Sequence, residues 1–176
     1  FSDYSSNPKL EDIKKGLRLF AAVQPDLLIA IGGGSTIDTA KLISVFSAQK
    51  GDQPLRSLIA DQTRLRPRSI PFIVVPTTCG SGSEATEFAV VYINGLKYSV
   101  AHPSLLPDQV IIDPQLMMSL PPYQLACSAM DAFSQALESL WSVNSTPTSK
   151  KYSLEALRLL NTELETAIEQ PRFENR

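Results

Sequence analysis

Gly32-Gly33-Gly34-Ser35 lies between an apolar run, Leu27 to Ile31, and an apolar-rich stretch from Ile37 to Phe46. That order reads as a buried strand, a glycine turn and a helix, and together the three make an anion site. Glycine has no Cβ, so a phosphate can approach the backbone. The first amides of a helix lack an intrahelical acceptor and can donate to that phosphate. Ser35 is placed either to cap the helix or to donate its own hydroxyl. The competing reading is a tight strand-to-helix turn with no ligand, but three consecutive glycines exceed what a turn requires. The glycines are adjacent, so this is not the spaced G-x-G-x-x-G fingerprint. A second polar, glycine-bearing loop, Thr77 to Glu84, follows the apolar run Phe72 to Val75. Ligands of open α/β sheets gather at such carboxyl ends of strands.

The elements that must hold these loops follow from the pattern around them. Leu10, Ile13, Leu17 and Phe20 recur at helical spacing behind Pro8. Pro25-Asp26 breaks that helix and leads into the first strand. The helix after the glycine turn runs to about Ala48, and residues 49–69 read as loop with one short helix near Leu58. Phe72 to Val75 reads as a buried parallel strand. Phe88 to Ile93 and Tyr98 to Ala101 flank Asn94-Gly95, a hairpin turn. Val110 to Ile112 is a further strand, and residues 114–119 a short helix. From Tyr123 onward the texture is helical, with Ala126, Met130, Phe133, Leu137 and Leu140 in register. A second helix, carrying Leu157, Leu160, Leu164 and Ile168, runs to about Glu169. The expectation is an α/β fold, a Rossmann-like parallel-sheet domain over residues 1–121, followed by the start of an all-helical domain over 122–176.

Composition narrows the function classes. The 176 residues suffice for one domain with a real core. A formal net charge of −2 gives no sign of nucleic-acid binding. Arg64, Arg66 and Arg68 form the densest basic cluster and read as solvated surface. No apolar stretch has the length of a membrane span. Two widely separated cysteines, Cys79 and Cys127, fit a reducing, cytoplasmic setting. The start, Phe1-Ser2-Asp3-Tyr4, resembles neither a signal peptide nor a natural beginning.

Asp26 to Lys41 and Pro76 to Glu84 resemble the iron-containing (group III) alcohol dehydrogenases. So do Leu105 to Asp108, Asp113-Pro114 with Leu116, and Leu120-Pro121. Pro-Thr-Thr followed by Gly-Ser-Gly-Ser-Glu separates this family from the dehydroquinate synthases and glycerol dehydrogenases. The resemblance implies a nucleotide-binding domain, a helical domain, NAD or NADP, and a divalent metal, Fe2+ or Zn2+. It implies that Gly33, Gly34 and Ser35 hold the pyrophosphate and that Asp38 sits near the nicotinamide end. It further implies that Thr77, Thr78 and Ser81 contact the adenine or ribose and that Lys97 reaches a ribose hydroxyl. Read without the resemblance, Asp38 and Lys41 are a helix ion pair, and Lys97 is a solvated residue after a hairpin turn.

At the implied metal site the sequence departs from the family, which places an Asp and, four residues later, a His on one helix. Here the pair is Asp131 and Gln135. That spacing puts both on one face, where they could meet a common ion. An amide oxygen is a hard, neutral and weaker ligand than imidazole. The plain alternative is a solvated polar stripe of Asp131, Gln135, Glu138 and Ser142. The only histidine, His102, reads as a loop residue, and no catalytic side chain is assigned.

The chain therefore looks like a middle segment of such an enzyme, inactive in isolation. The expected activity of the complete form is hydride transfer between nicotinamide and a small aldehyde or alcohol. Ser134 to Asn144 resembles the phosphonoacetaldehyde reductase branch, which points to a substrate with an anionic head group. The alternatives are a binding-only fragment that keeps the nucleotide site, or dehydroquinate-synthase-like chemistry. A homodimer, the metal's identity and the choice between NAD and NADP are left open.

Overall fold

The computed structural model describes residues 1–51 and 54–169. They form two compact units, Phe1–Pro76 with Ser83–Ile112, and Thr77–Gly82 with Asp113 onward.

In the first unit, α1 spans Leu10–Val23, β1 Leu28–Gly32, α2 Gly34–Ser47 and α3 Leu55–Ala60. Then come β2, Phe72–Pro76, and the hairpin β3, Phe88–Ile93, with β4, Leu96–Ala101. The short β5, Gln109–Val110, completes the unit. β1, β2 and β5 form one parallel sheet in that order. Gly32 pairs with Pro76, so the two loops singled out by sequence leave the sheet at neighbouring carboxyl ends. The parallel α/β expectation holds, and its reason is visible in α2. This helix is buried continuously from Thr39 to Phe46, as a helix packed on more than one side must be. Leu42, Ile43, Val45 and Phe46 meet Leu10 and Ile13 of α1 and Ala89, Val91, Ile93 and Val100 of the hairpin in one core. Each large side chain so buried contributes about 1.5–3 kcal/mol.

Three expectations need correction here. β1 is buried on one face only: Ala30 is inside, whereas Ile29 and Ile31 are 51% and 61% exposed. Strand alternation sends these two isoleucines to the face opposite Ala30. The strand expected over Val110–Ile112 lies earlier, at Gln109–Val110, although the Ile111 N–H still donates to the Val74 carbonyl at 2.9 Å. Arg68 is not solvated. Its guanidinium donates to the Ser104 and Leu106 carbonyls and meets the Asp108 carboxylate at 2.5 Å. Asp108 also accepts from the Phe72 N–H at 2.7 Å, which ties the 104–108 loop to the start of β2.

The second unit holds α4, Pro122–Trp141, and α5, Pro147–Glu169, joined by five residues. So short a connection makes them antiparallel neighbours. The loop Thr77–Gly82 belongs to this unit. At Gly80, φ is +102°, and a Cβ there would lie 2.7 Å from the Ser128 carbonyl carbon. Only glycine allows both that backbone angle and that approach to α4. Among the described residues, no helix is long and apolar enough to cross a membrane.

Candidate nucleotide and metal sites

The glycine turn shows which of its glycines the backbone itself requires. A Cβ on Gly32 would lie 2.6 Å from the Thr36 Cβ, so the turn's own packing demands glycine there. Gly33 is the N-cap of α2, with φ −80° and ψ −174°, an extended conformation open to any residue. Gly34 is already helical. Neither backbone conformation by itself calls for glycine.

Of the two roles open to Ser35, to cap the helix or to donate its own hydroxyl, capping is not what forms. Gly33 is the cap, no side chain caps the helix, and Ser35 lies inside its first turn. The Ser35 hydroxyl instead accepts from the Asn7 N–H at 3.2 Å. Beside it, the Tyr4 hydroxyl donates to Thr36 Oγ1 at 2.7 Å. The amides of Gly34, Ser35 and Thr36 precede the first helical bond, from the Ile37 N–H to the Gly33 carbonyl. They form the donor set that a phosphate needs.

Asp38 and Lys41 do not form the helix ion pair. Among the described residues, no contact within 4.0 Å joins them, and each reaches across to the chain leading into β3. Asp38 accepts from the Ser83 hydroxyl at 2.5 Å and from the Val90 N–H at 2.9 Å. Lys41, fully buried, donates to the Thr86 carbonyl at 2.6 Å, the Thr86 hydroxyl at 3.1 Å and the Phe88 carbonyl at 3.0 Å. Burial raises the Asp38 carboxyl above the usual carboxylate range, opposed by Ser83, Val90 and the charges of Lys41 and Lys97. Burial lowers the Lys41 ammonium to about 8, opposed by Asp38 and Glu84. Lys97 is exposed on β4, paired with Tyr92, and its charge acts on Asp38. The first unit thus carries Gly33, Gly34, Ser35, Asp38 and Lys97, and the Lys97 charge favours the ionised form of Asp38.

The second unit carries Thr77, Thr78, Ser81, Asp131 and Gln135. Asp131 and Gln135 are exposed on α4. The Gln135 Nε2 donates to the Gly80 carbonyl at 3.1 Å, which leaves Oε1 as its remaining polar atom. Two oxygen donors from α4 fit part of a hard-cation shell. Among the described residues, no group of three or more His, Cys, Asp or Glu gathers to complete one. His102 is a loop residue, as expected, and its Nδ1 accepts from the Ser104 N–H at 3.1 Å.

Sequence reasoning missed Asn7, Tyr4, Ser83 and Gly80. Asn7 and Tyr4 carry no local signal, because they meet the glycine turn only through tertiary packing. Gly80 and Ser83 stood in the recognised loop, and the doublet of glycine and serine was the available clue.

Known proteins agree with this architecture. The family profile of iron-containing alcohol dehydrogenase matches residues 1–114. Long-chain-alcohol dehydrogenase 1 of Geobacillus thermodenitrificans is 36% identical over 168 residues, covering 96% of this chain and 42% of its own. A 1-propanol dehydrogenase of Salmonella typhimurium is 33% identical, over 97% of this chain and 42% of its own. Among solved structures, sulfoacetaldehyde reductase from Bifidobacterium kashiwanohense in complex with NAD+ superposes with TM-score 0.93 at 28% identity. That match covers 99% of this chain and 47% of the reductase. A 1,3-propanediol oxidoreductase superposes with TM-score 0.90 at 28% identity, over 99% of this chain and 46% of its own. A Rossmann-like α/β oxidoreductase architecture is the class these observations define. The chain belongs to the iron-containing alcohol dehydrogenase family, and it spans less than half the length of these relatives.

Proposed function

We propose that the complete protein transfers hydride between a nicotinamide dinucleotide and a small aldehyde or alcohol, and that this chain supplies the nucleotide-binding turn. The carrying observation is that Gly33 and Gly34 adopt backbone conformations that do not require glycine. Without a Cβ at either position, a pyrophosphate would be able to approach the amides of Gly34, Ser35 and Thr36. Lys97, on β4, is the candidate for a ribose hydroxyl, and Thr77, Thr78 and Ser81 for the adenosine half. Asp131 and Gln135 are the candidates for part of a divalent-metal shell. When bound, the dinucleotide exchanges the hydride, and an Fe2+ or Zn2+ ion withdraws charge from the carbonyl oxygen. The residues of this chain act by binding and orientation, which raises the effective concentration of the two reactants.

The proposed substrate is an aldehyde with an anionic head group, of the phosphonoacetaldehyde kind. The Ser134–Asn144 resemblance supports it, and so does the name of the sulfoacetaldehyde reductase. A charge held away from the carbonyl could supply transition-state binding that a weak amide ligand does not. A substrate screen on the complete protein with NADH and NADPH tests both levels. Equal kcat/KM for propanal and phosphonoacetaldehyde would remove the anionic preference, and no turnover of any aldehyde would remove the activity. Nucleotide binding without turnover is the second reading. It is favoured by the donor set on α4, two oxygen ligands with no imidazole, and metal content of the complete protein separates the two.

A further inference from the structure

Lys41 is a buried charge that the proposed chemistry does not use. A lysine so placed is costly unless all its donors are engaged. Here its three bonds all go to the segment Thr86–Phe88, the entry to the hairpin β3–β4. One helical turn earlier, Asp38 takes the Ser83 hydroxyl and the Val90 N–H, on either side of that segment. Thr86 closes the arrangement by donating its hydroxyl to the Ser83 carbonyl at 3.3 Å. Two side chains of one helix therefore grip a stretch of eight residues, 83–90, at four points. The same helix begins with the glycine turn, and the gripped hairpin carries Lys97.

We propose that Lys41, with Asp38, is a positioning residue for dinucleotide binding: it clamps the hairpin to α2 and so fixes where the hairpin carries Lys97 relative to the glycine turn. This rests on the dinucleotide reading of that turn. Hydrophobic packing already holds Val91 and Val100 against α2, but apolar contacts are non-directional and do not fix the strand's position along the helix. Hydrogen bonds to specific carbonyls do. The buried ammonium carries the directional part, and its contacts to Thr86 and Phe88 straddle Glu87, so the backbone there has a single seating.

The test compares Lys41→Met and the milder Thr86→Val in the full chain, by backbone hydrogen exchange and by NADH and NADPH fluorescence titration. Exchange without nucleotide is expected to quicken over residues 83–101 by about tenfold in Lys41→Met, the order of one charge-assisted hydrogen bond. The amides of β1 and β2 should keep their protection. Unchanged exchange over 83–101 overturns the clamp. Nucleotide affinity is expected to fall about tenfold in Lys41→Met, with no further fall when Lys97→Ala is added, because residues acting through one another are non-additive. Fully additive losses overturn the positioning role and leave a stability role alone. If Lys41→Met does not fold, Thr86→Val decides on the same two readouts with smaller shifts. If the unaltered protein binds neither nucleotide, the dinucleotide reading fails, and the exchange measurement still decides the clamp.

Discussion

The Gln135 amide donates to the Gly80 carbonyl at 3.1 Å, and Gly80 itself lies against the Ser128 carbonyl of the same helix. Two positions of α4, seven residues apart, therefore meet the Thr77–Gly82 loop at one residue, Gly80. The bond also fixes the amide's orientation, much as the outer hydrogen bond of a metal-bound histidine fixes its ring.

Gln135→Glu separates the Gly80 bond from the proposed metal-ligand role of the side chain. A carboxylate keeps the oxygen donors for a cation and loses the N–H that reaches Gly80. The loop should loosen by about 0.5–1.5 kcal/mol, the net worth of one hydrogen bond. Hydrogen exchange of residues 77–82 should quicken, and bound iron or zinc should not fall. A loop unchanged in exchange would show that the Gly80 bond contributes nothing.

Gly80→Ala and Gly95→Ala make a matched pair. Both glycines have positive φ, +102° and +80°. The Gly95 position opens onto space, whereas Gly80 faces Ser128. Gly95→Ala should cost about 1 kcal/mol, from backbone strain alone. Gly80→Ala should cost more, about 2–3 kcal/mol, because the close approach is added to the strain. Urea denaturation measures both, and equal costs would remove the packing argument.

Gly33→Val should leave the fold intact, since φ −80° and ψ −174° suit a β-branched residue. It should abolish NADH binding by filling the space in front of the first helical amides. Fluorescence titration of the folded variant checks this, and unchanged affinity would place the pyrophosphate elsewhere.

Lys41 gives a pH dependence with a definite sign. Its folded value is about 8, against 10.5 for an ordinary lysine. Between these values the unfolded chain binds more protons than the folded one, so stability rises with pH. Below about 8 both states are protonated and the contribution is flat. Relative to Lys41→Met, the native protein should gain stability as pH climbs from about 8 to 10.5. Melting temperatures across that range check it, and a constant difference would mean that the ammonium is not desolvated.

Much of this molecule was legible in the sequence because its signals are local. The glycine turn, the Asn94-Gly95 hairpin, the helix behind Pro8 and the helical texture from Tyr123 each depend on neighbours within a few residues. The apolar runs at 27–31 and 72–75 sufficed for a parallel α/β sheet, and Pro-Thr-Thr with Gly-Ser-Gly-Ser-Glu sufficed for the family. What the sequence could not determine was where the polar side chains would go. Asp38 and Lys41 look like an ion pair because helical spacing brings them near each other. They part because the hairpin entry presents two carbonyls, a hydroxyl and an N–H that only tertiary packing brings within reach. Ser35 looks like a cap, but the cap falls on Gly33 and its hydroxyl goes to Asn7, a residue 28 positions away. Arg68 looks solvated in its proline-interrupted loop, yet the carbonyls that bury it come from residues 104 and 106. Backbone conformation and apolar patterning are set by short-range forces. The destination of a long polar side chain depends on which distant backbone groups folding leaves without partners, and that is decided only when the elements meet.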